Sequence, residues 1–95
     1  NIDKLCLVLV LLDLRRNKLS QEDEEILKFL RNNKISTIIL GTKLDKLNQS
    51  ELHKTLKAFD NNKYTNSLEV IKYSAVSKKG LDLIIKRFYQ FSNDM

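Results

Sequence analysis

The chain has 95 residues and a formal net charge of +5, with 42% hydrophobic and 31% charged residues. This balance predicts one small globular domain and excludes a collagen-like chain, a disordered tail and a disulfide scaffold. The longest apolar run, residues 5–12, falls far short of the roughly 20 residues of a membrane span, so we expect a soluble protein. That run contains the single cysteine, Cys6, which we expect to be a buried free thiol in a reducing compartment, and hence in the cytoplasm.

The first predicted unit is a strand followed by a helix. Residues 5–12 form a continuous apolar run that ends at Asp13, which predicts a strand buried on both faces. Ser20 is the predicted N-cap of the helix that follows, because serine is a favoured N-cap residue and four acidic residues, 22–25, crowd the first turn, where the helix dipole favours anions. The apolar face predicted for this helix consists of Ile26, Phe29 and Leu30.

Two further strand–helix units follow. Residues 35–40 predict a second strand that ends at Gly41, and a polar loop, 42–46, leads to a helix capped by Asn48 or Ser50. Its predicted face is Leu52, Leu56 and Phe59. Residues 68–73 predict the third strand, and the last helix has an apolar face of Leu81, Ile84, Ile85 and Phe88.

This alternation predicts an α/β fold with three layers, in which a parallel sheet lies between helices and the crossovers are right-handed. Three strands make a small sheet, so we expect the chain to be the C-terminal part of a larger doubly wound domain. In such sheets ligands bind beyond the carboxyl ends of the strands. The loops 13–16, 42–45 and 74–80 all leave the sheet on that side, and a shared site is therefore possible.

Two of these loops resemble known motifs. Thr42-Lys43-Leu44-Asp45, after the second strand, is similar to the [NT]-K-x-D guanine-specificity motif of small GTPases. Ser74-Ala75, with Lys78 and Gly80, is similar to their S-A-x-x-K-x-G motif, and the two are separated by one helix and one strand, as in that class. With Leu12-Asp13-Leu14-Arg15-Arg16 upstream, the chain most resembles the C-terminal half of the EngB (YihA/YsxC) family of ribosome-assembly GTPases. This resemblance implies a Ras-like P-loop GTPase domain of the TRAFAC class.

Guanine chemistry agrees with the first motif. An ionised aspartate is an acceptor only, so both oxygens of Asp45 can accept from the ring N–H and the exocyclic amine of guanine. The resemblance implies that the stem of Lys43 lies over the base, that Thr42 braces the loop and that the Ala75 N–H donates to the guanine carbonyl. The predicted nucleotide site consists of Thr42, Lys43, Leu44, Asp45, Tyr73, Ser74 and Ala75. The alternative is that Asp45 is a turn residue and Lys43 a solvated lysine.

Other GTPase motifs are absent from the sequence. No G-x-x-x-x-G-K-[ST] phosphate loop and no D-x-x-G switch motif occurs in residues 1–95. We therefore expect a partial GTPase domain that binds GTP or GDP through the base, with no catalytic or metal-binding residue of its own and no hydrolysis by the 95 residues alone. The resemblance implies Mg²⁺ in the intact domain, a ribosomal subunit or rRNA as the partner, and roles in ribosome biogenesis and cell division (septation), without membrane or DNA.

Alternatives remain for Asp13 and for the chain as a whole. Asp13 could be the phosphoryl acceptor of a receiver-like signalling domain, a magnesium carboxylate of the Walker-B type, or a residue that hydrogen-bonds the following turn. His53, the single histidine, has no second metal ligand in its pattern and is predicted on a helix surface. The chain could also be a non-enzymatic α/β interaction fragment. Its positive charge is compatible with a polyanion partner, but on charge alone we favour a solvated lysine-rich surface.

Overall fold

The computed structural model describes residues 7–16 and 18–93, and its elements alternate between strand and helix. In chain order they are β1 (Leu7–Asp13), α1 (Gln21–Asn32), β2 (Ser36–Thr42), α2 (Gln49–Asn61), β3 (Glu69–Lys72) and α3 (Leu81–Asn93). A short 3-10 turn, Leu44–Lys46, lies between β2 and α2. The three predicted strand–helix units are confirmed; Cys6 and its expected burial lie outside the described residues.

The three strands form one parallel sheet in the order β1-β2-β3. Leu12 of β1 is level with Gly41 of β2, and Gly41 is level with Lys72 of β3. Because the strands are parallel and in register, their carboxyl ends lie along one edge, here called the carboxyl rim. The loops that follow all three strands therefore begin at this rim.

Helix starts follow the capping chemistry of the sequence. The Ser20 side chain accepts from the backbone N–H of Asp23, and the Asp23 carboxylate accepts from the Ser20 N–H, which makes a capping box at α1. Asn48 and Glu51 form the same reciprocal pair at α2, so Asn48 rather than Ser50 is the cap. These two caps fix where α1 and α2 begin.

Two apolar clusters lie on opposite faces of the sheet, which confirms the three-layer arrangement. The larger cluster joins β1 and β2 to α1 and α2, and its buried members are Val10, Leu12, Leu14, Leu27, Leu30, Ile39 and Phe59. The smaller cluster lies on the face covered by α3, and its buried members are Ile38, Leu40 and Ile71, with Ile84 of α3 packed against them. The alternation of strand side chains between the faces produces this division.

Three burial predictions are wrong in part. β1 is fully buried on one face, with Val10 and Leu12, but only partly covered on the other, where Leu9 packs against the smaller cluster and Leu11 is 63% exposed. On α1, Leu27 and Leu30 point to the sheet, whereas Ile26 and Phe29 are 49% and 60% exposed, because they lie about 100° around the helix from that buried line. On α3, Ile84 alone of the predicted face joins a cluster, and the side chains that stay between 39% and 48% exposed are Leu81, Ile85 and Phe88.

The helices of the described residues are short. The longest of them, α2 and α3, have 13 residues each, and no helix within residues 7–16 and 18–93 combines the length and apolar character that a bilayer crossing needs.

Candidate functional site

The loop after β2 has an unusual backbone. Lys43 adopts a left-handed conformation with φ of +66°, and the 3-10 turn follows at once, closed by the Lys46 N–H donating to the Lys43 carbonyl at 2.9 Å. Positive φ is uncommon for residues with a side chain and is frequent at binding sites, where surrounding contacts maintain it. The turn brings Asp45 to the carboxyl rim.

Backbone hydrogen bonds join this loop to the end of β3. The Tyr73 N–H donates to the Gly41 carbonyl at 2.8 Å, and the Leu44 N–H donates to the Tyr73 carbonyl at 3.2 Å. The first bond continues the β2–β3 pairing beyond the last strand residue, and the second ties the predicted motif residues together. The two loops that the sequence singled out therefore form one unit.

The backbone at the end of the second loop requires a glycine, and Gly80 occupies that position. Its φ is +94°, and a Cβ added there would lie 2.2 Å from the carbonyl oxygen of Lys72. Any other residue would combine a strained backbone with a collision against a strand. The Ser74 N–H donates to the Lys79 carbonyl at 3.1 Å, so the loop folds back on itself and keeps Ser74 only 1% exposed.

Asp45 and Ser74 are in direct contact. The Ser74 hydroxyl donates to Asp45 Oδ1 at 3.1 Å and accepts from the Ser77 N–H at 3.3 Å. Lys46 Nζ lies 3.9 Å from Asp45 Oδ2. Within the described part of the chain, Ser74 is the one hydrogen-bond donor to the Asp45 side chain. A carboxylate has about four lone-pair positions, so Asp45 keeps acceptor capacity for further donors.

Thr42 braces the loop from the other side. Its hydroxyl donates to the Leu12 carbonyl at 3.3 Å, and its carbonyl accepts from the Leu14 N–H at 3.0 Å. These two hydrogen bonds connect the loop after β2 to the end of β1.

A cavity of about 380 Å³ opens beside Asp45 at the carboxyl rim. Its lining residues are Leu11, Thr42, Lys43, Asp45, Lys46, Tyr73, Ala75 and Val76. Five of the seven predicted site residues are among them. The other two are not in its lining: Leu44 packs against the larger apolar cluster, and the buried Ser74 is hydrogen-bonded to Asp45. The volume is within the range of small-ligand pockets, about 300–1,000 Å³.

Three lining residues were missed in the sequence. Leu11 and Val76 are apolar side chains that are 63% and 79% exposed, and Lys46 adds a cation. Leu11 could not be recognised as a cavity residue from the sequence, because it lies in an apolar run that predicts a buried strand. Val76 follows the Ser74-Ala75 motif directly, and its position next to that motif was the available signal.

Asp13 closes its own turn. Its Oδ1 accepts from the Arg15 N–H at 2.9 Å, and its two carboxylate oxygens accept from Nε and Nη2 of the Arg15 guanidinium. These hydrogen bonds lower the pKa of Asp13 from its ordinary 3.8 to about 2, with the nearby charges of Arg15 and Arg16 assisting. The geometry favours the structural role of Asp13 over the phosphoryl-acceptor and magnesium roles.

His53 lies on the exposed surface of α2, as predicted. Among residues 7–16 and 18–93, no three side chains of histidine, cysteine, aspartate or glutamate come together as metal ligands.

No protein-family model matches the chain. The chain is 40% identical over 79 residues to the "Probable GTP-binding protein EngB" of Fusobacterium nucleatum subsp. nucleatum, covering 83% of this chain and 40% of that protein. It is 36% identical over 78 residues to the protein of the same name from Thermosipho africanus, covering 82% and 39% respectively.

A third relative of that name, from Clostridium kluyveri, is 34% identical over 85 residues, which are 88% of this chain and 43% of the relative. The chain thus spans about two-fifths of the length of the relatives that it matches.

Proposed function

Because the chain belongs to the EngB family of GTP-binding proteins and corresponds to a C-terminal portion of its members, we propose that it recognises the guanine base of GTP and GDP. Residues 1–95 are then a partial GTPase domain that contains the two guanine-specificity loops. The observation that supports this most is the hydrogen bond between Asp45 and Ser74, which joins the two motifs beside one cavity.

Asp45 supplies the base specificity in this proposal. Guanine presents two adjacent donors, the ring N–H and the exocyclic amine, and the carboxylate accepts from both. Adenine has an acceptor at the matching ring position and lacks that amine, so it would leave the carboxylate facing another acceptor. The Ser74 hydroxyl already occupies one lone pair of Oδ1, which fixes the orientation of Asp45 before a base arrives.

The rest of the cavity suits a flat ring. The left-handed backbone of Lys43 and the exposed side chains of Leu11 and Val76 place aliphatic surface around the opening, and Tyr73 lines the wall. In our proposal the stem of Lys43 covers one face of the base, as lysine stems cover apolar surfaces elsewhere. The N–H of Ala75 donates to the guanine carbonyl oxygen, and Thr42 holds the loop in place.

Phosphate and metal binding are assigned to other parts of the protein. The residues of this chain do not fit Mg²⁺ or a triphosphate, because they include no phosphate-loop sequence and no side chain that matches its metal-binding serine or threonine. We therefore propose that the intact protein hydrolyses GTP with Mg²⁺ and that these 95 residues alone do not. By family resemblance, its partner is a ribosomal subunit or rRNA, in ribosome assembly and cell division.

The test is the base preference of the intact protein with Asp45→Asn. Asparagine replaces one acceptor by a donor, which opposes guanine and favours xanthine, whose ring has a carbonyl in place of the amine. We expect the ratio of GDP to XDP affinity, measured by calorimetry, to fall by roughly 10- to 100-fold, since hydrogen bonds to charged groups contribute about 1.5–3 kcal/mol.

Asp60→Asn is the matched control, because Asp60 is an exposed aspartate of α2 that does not line the cavity. It should leave both affinities unchanged. If Asp45→Asn kept the GDP preference of the unmodified protein, the proposed role of Asp45 would be wrong.

A further inference from the structure

The loop after β3 exposes a valine. Val76 follows Ala75, precedes the polar residues 77–79, and at 79% is the most exposed large apolar side chain of the described residues. Leu11 of β1 is the other large apolar residue that is exposed outside a helix, since the rest of those within residues 7–16 and 18–93 lie on α1 or α3. Val76 has no hydrogen-bonding role in the recognition of guanine proposed above.

Val76 and Leu11 line the same cavity, the one beside Asp45. Single apolar residues scattered over a surface are ordinary, but two from separate segments that line one cavity favour a ligand site there. Most of the surface that this cavity presents is apolar. A cavity of this kind, with a carboxylate at one point of its lining, suits a ligand that has a flat apolar face and a polar edge.

The loop that contains Val76 is closed by hydrogen bonds. The Ser74 N–H donates to the Lys79 carbonyl at 3.1 Å, and the Ser77 N–H donates to the Ser74 hydroxyl at 3.3 Å. Val76 lies within this closed turn. A ligand that packs against an ordered loop costs less conformational entropy than one that must order the loop on binding, so Val76 is well placed to contribute affinity.

The position of Val76 in the chain brings it close to the base. In the proposed function the N–H of Ala75 donates to the guanine carbonyl oxygen, and consecutive Cα atoms are only about 3.8 Å apart. The hydrogen bonds of Asp45 and Ala75 lie along the edge of the purine ring and leave its two faces without a partner. Covering a ring face with an aliphatic side chain removes apolar surface from water on both sides of the contact.

We propose that Val76 packs on a face of the bound guanine ring and contributes affinity without selecting among purines. The inference rests on the proposed function, because it takes a guanine nucleotide as the ligand. Its physical basis is separate, since Asp45 accepts from donors that differ among bases, whereas a ring face is common to all purines. Loss of the Val76 side chain should therefore lower the affinities for GDP and IDP by the same factor.

Calorimetry on the intact protein with Val76→Ser tests this equality. GDP and IDP should each bind about three- to tenfold more weakly, since the methyl groups that the ring covers are lost. The urea midpoint should stay unchanged, because Val76 is exposed in the absence of a ligand. Val76→Ile, which keeps an aliphatic side chain, should retain the affinities. Ile26→Ser is the matched control, an exposed aliphatic residue of α1 outside the cavity, and should change neither affinity.

Nuclear magnetic resonance of the intact protein with labelled valine methyl groups tests the contact itself. The Val76 methyl signals should move upfield when GDP is added, because protons above a purine face are shielded by the ring current. Val70, which packs against the larger apolar cluster, serves as the internal reference and should not show this shift.

Unchanged GDP affinity in Val76→Ser, or Val76 methyl signals that do not move upfield, would overturn the proposal. A loss confined to GDP would overturn it as well, because Val76 would then select among bases. Failure of the proposed function gives a different result: Asp45→Asn would keep the preference for GDP over XDP. If only the role of Val76 were wrong, Asp45→Asn would change that preference while Val76→Ser left the GDP affinity unchanged.

Discussion

Two aspartates follow neighbouring parallel strands at the carboxyl rim, and their surroundings differ. Asp13 ends β1, and both its carboxylate oxygens are bound by the Arg15 guanidinium of its own loop. Asp45 lies just beyond β2, accepts one hydrogen bond from Ser74, and borders a cavity of about 380 Å³. The first carboxylate has its charge neutralised locally, whereas the second keeps acceptor positions open.

The difference shows that position at a strand end does not by itself make a binding residue. The hydrogen-bond partners of each carboxylate decide its role. A carboxylate neutralised by an adjacent arginine closes a turn, whereas a carboxylate oriented by a buried hydroxyl stays available to a ligand. The loop after β1 should therefore matter chiefly for stability and the loop after β2 chiefly for binding. The following predictions test that division, beginning with the largest effect.

Leu14→Ala should destabilise the intact protein by about 2–5 kcal/mol in urea unfolding, because a fully buried leucine is lost and a cavity remains. Gly41 makes the packing close: a Cβ there would lie 2.6 Å from Leu14 Cδ2. The folded variant should keep its ratio of GDP to XDP affinity. A changed ratio with little loss of stability would contradict the assignment of the first loop to stability.

Ser74→Ala should lower GDP affinity by roughly tenfold, since the hydrogen bond that orients Asp45 is lost, a contribution of about 1–1.5 kcal/mol. Calorimetry should also show that the preference for GDP over XDP is kept, because Asp45 itself is intact. Ser74→Thr, which retains a hydroxyl, serves as the rescue control and should restore part of the affinity. Unchanged GDP affinity in Ser74→Ala would remove Ser74 as a positioning residue.

Lys43→Gly should weaken GDP binding by a few-fold without destabilising the fold. Glycine adopts the φ of +66° freely, so the change removes the aliphatic stem while the loop backbone is preserved. Lys43→Ala removes the same stem but keeps the backbone strain. Comparison of the two variants in binding and in urea unfolding separates contact with the base from loop conformation. Full GDP affinity in both variants would mean that the stem does not contact the base.

Asp13→Asn should have the smallest effect, less than about 1 kcal/mol at neutral pH, because its ion pair with Arg15 is partly exposed. The pKa of Asp13 is lowered to about 2 in the fold from 3.8, so its ionised form stabilises the protein above about pH 4. That contribution is lost as the pH falls from 3.8 towards 2.

Urea midpoints measured against pH for both proteins should differ at neutral pH and converge near pH 2. A difference that stayed constant over this interval would mean that the Arg15 pair does not stabilise the fold.

Much of the architecture could be predicted from the sequence. Apolar runs gave the three strands, and capping residues such as Ser20 gave the helix starts, because both signals are local. Burial was harder to predict. Leu30 was predicted on the buried face of α1 and is buried there, but its neighbour on that face is Leu27, whereas the predicted Ile26 and Phe29 are exposed. Leu11 looked like core and is instead an exposed wall of the base cavity.

The site could be predicted in its residue types but not in its geometry. The motif loops gave Asp45 and Ser74, yet nothing in the sequence indicated that one would donate a hydrogen bond to the other. The left-handed backbone of Lys43 was equally hidden, since lysine has no preference for positive φ. Both features depend on contacts between residues far apart in the chain, which local patterns do not record.

The central claim is that Asp45 accepts hydrogen bonds from the guanine base, and a double-mutant comparison with a modified base tests it most directly. IDP differs from GDP only by the missing exocyclic amine, so the intact protein should bind GDP about 10- to 100-fold more tightly than IDP. With Asp45→Ala, that ratio should fall close to one, because the acceptor of the amine is gone. An unchanged ratio of GDP to IDP affinity in Asp45→Ala would contradict the claim.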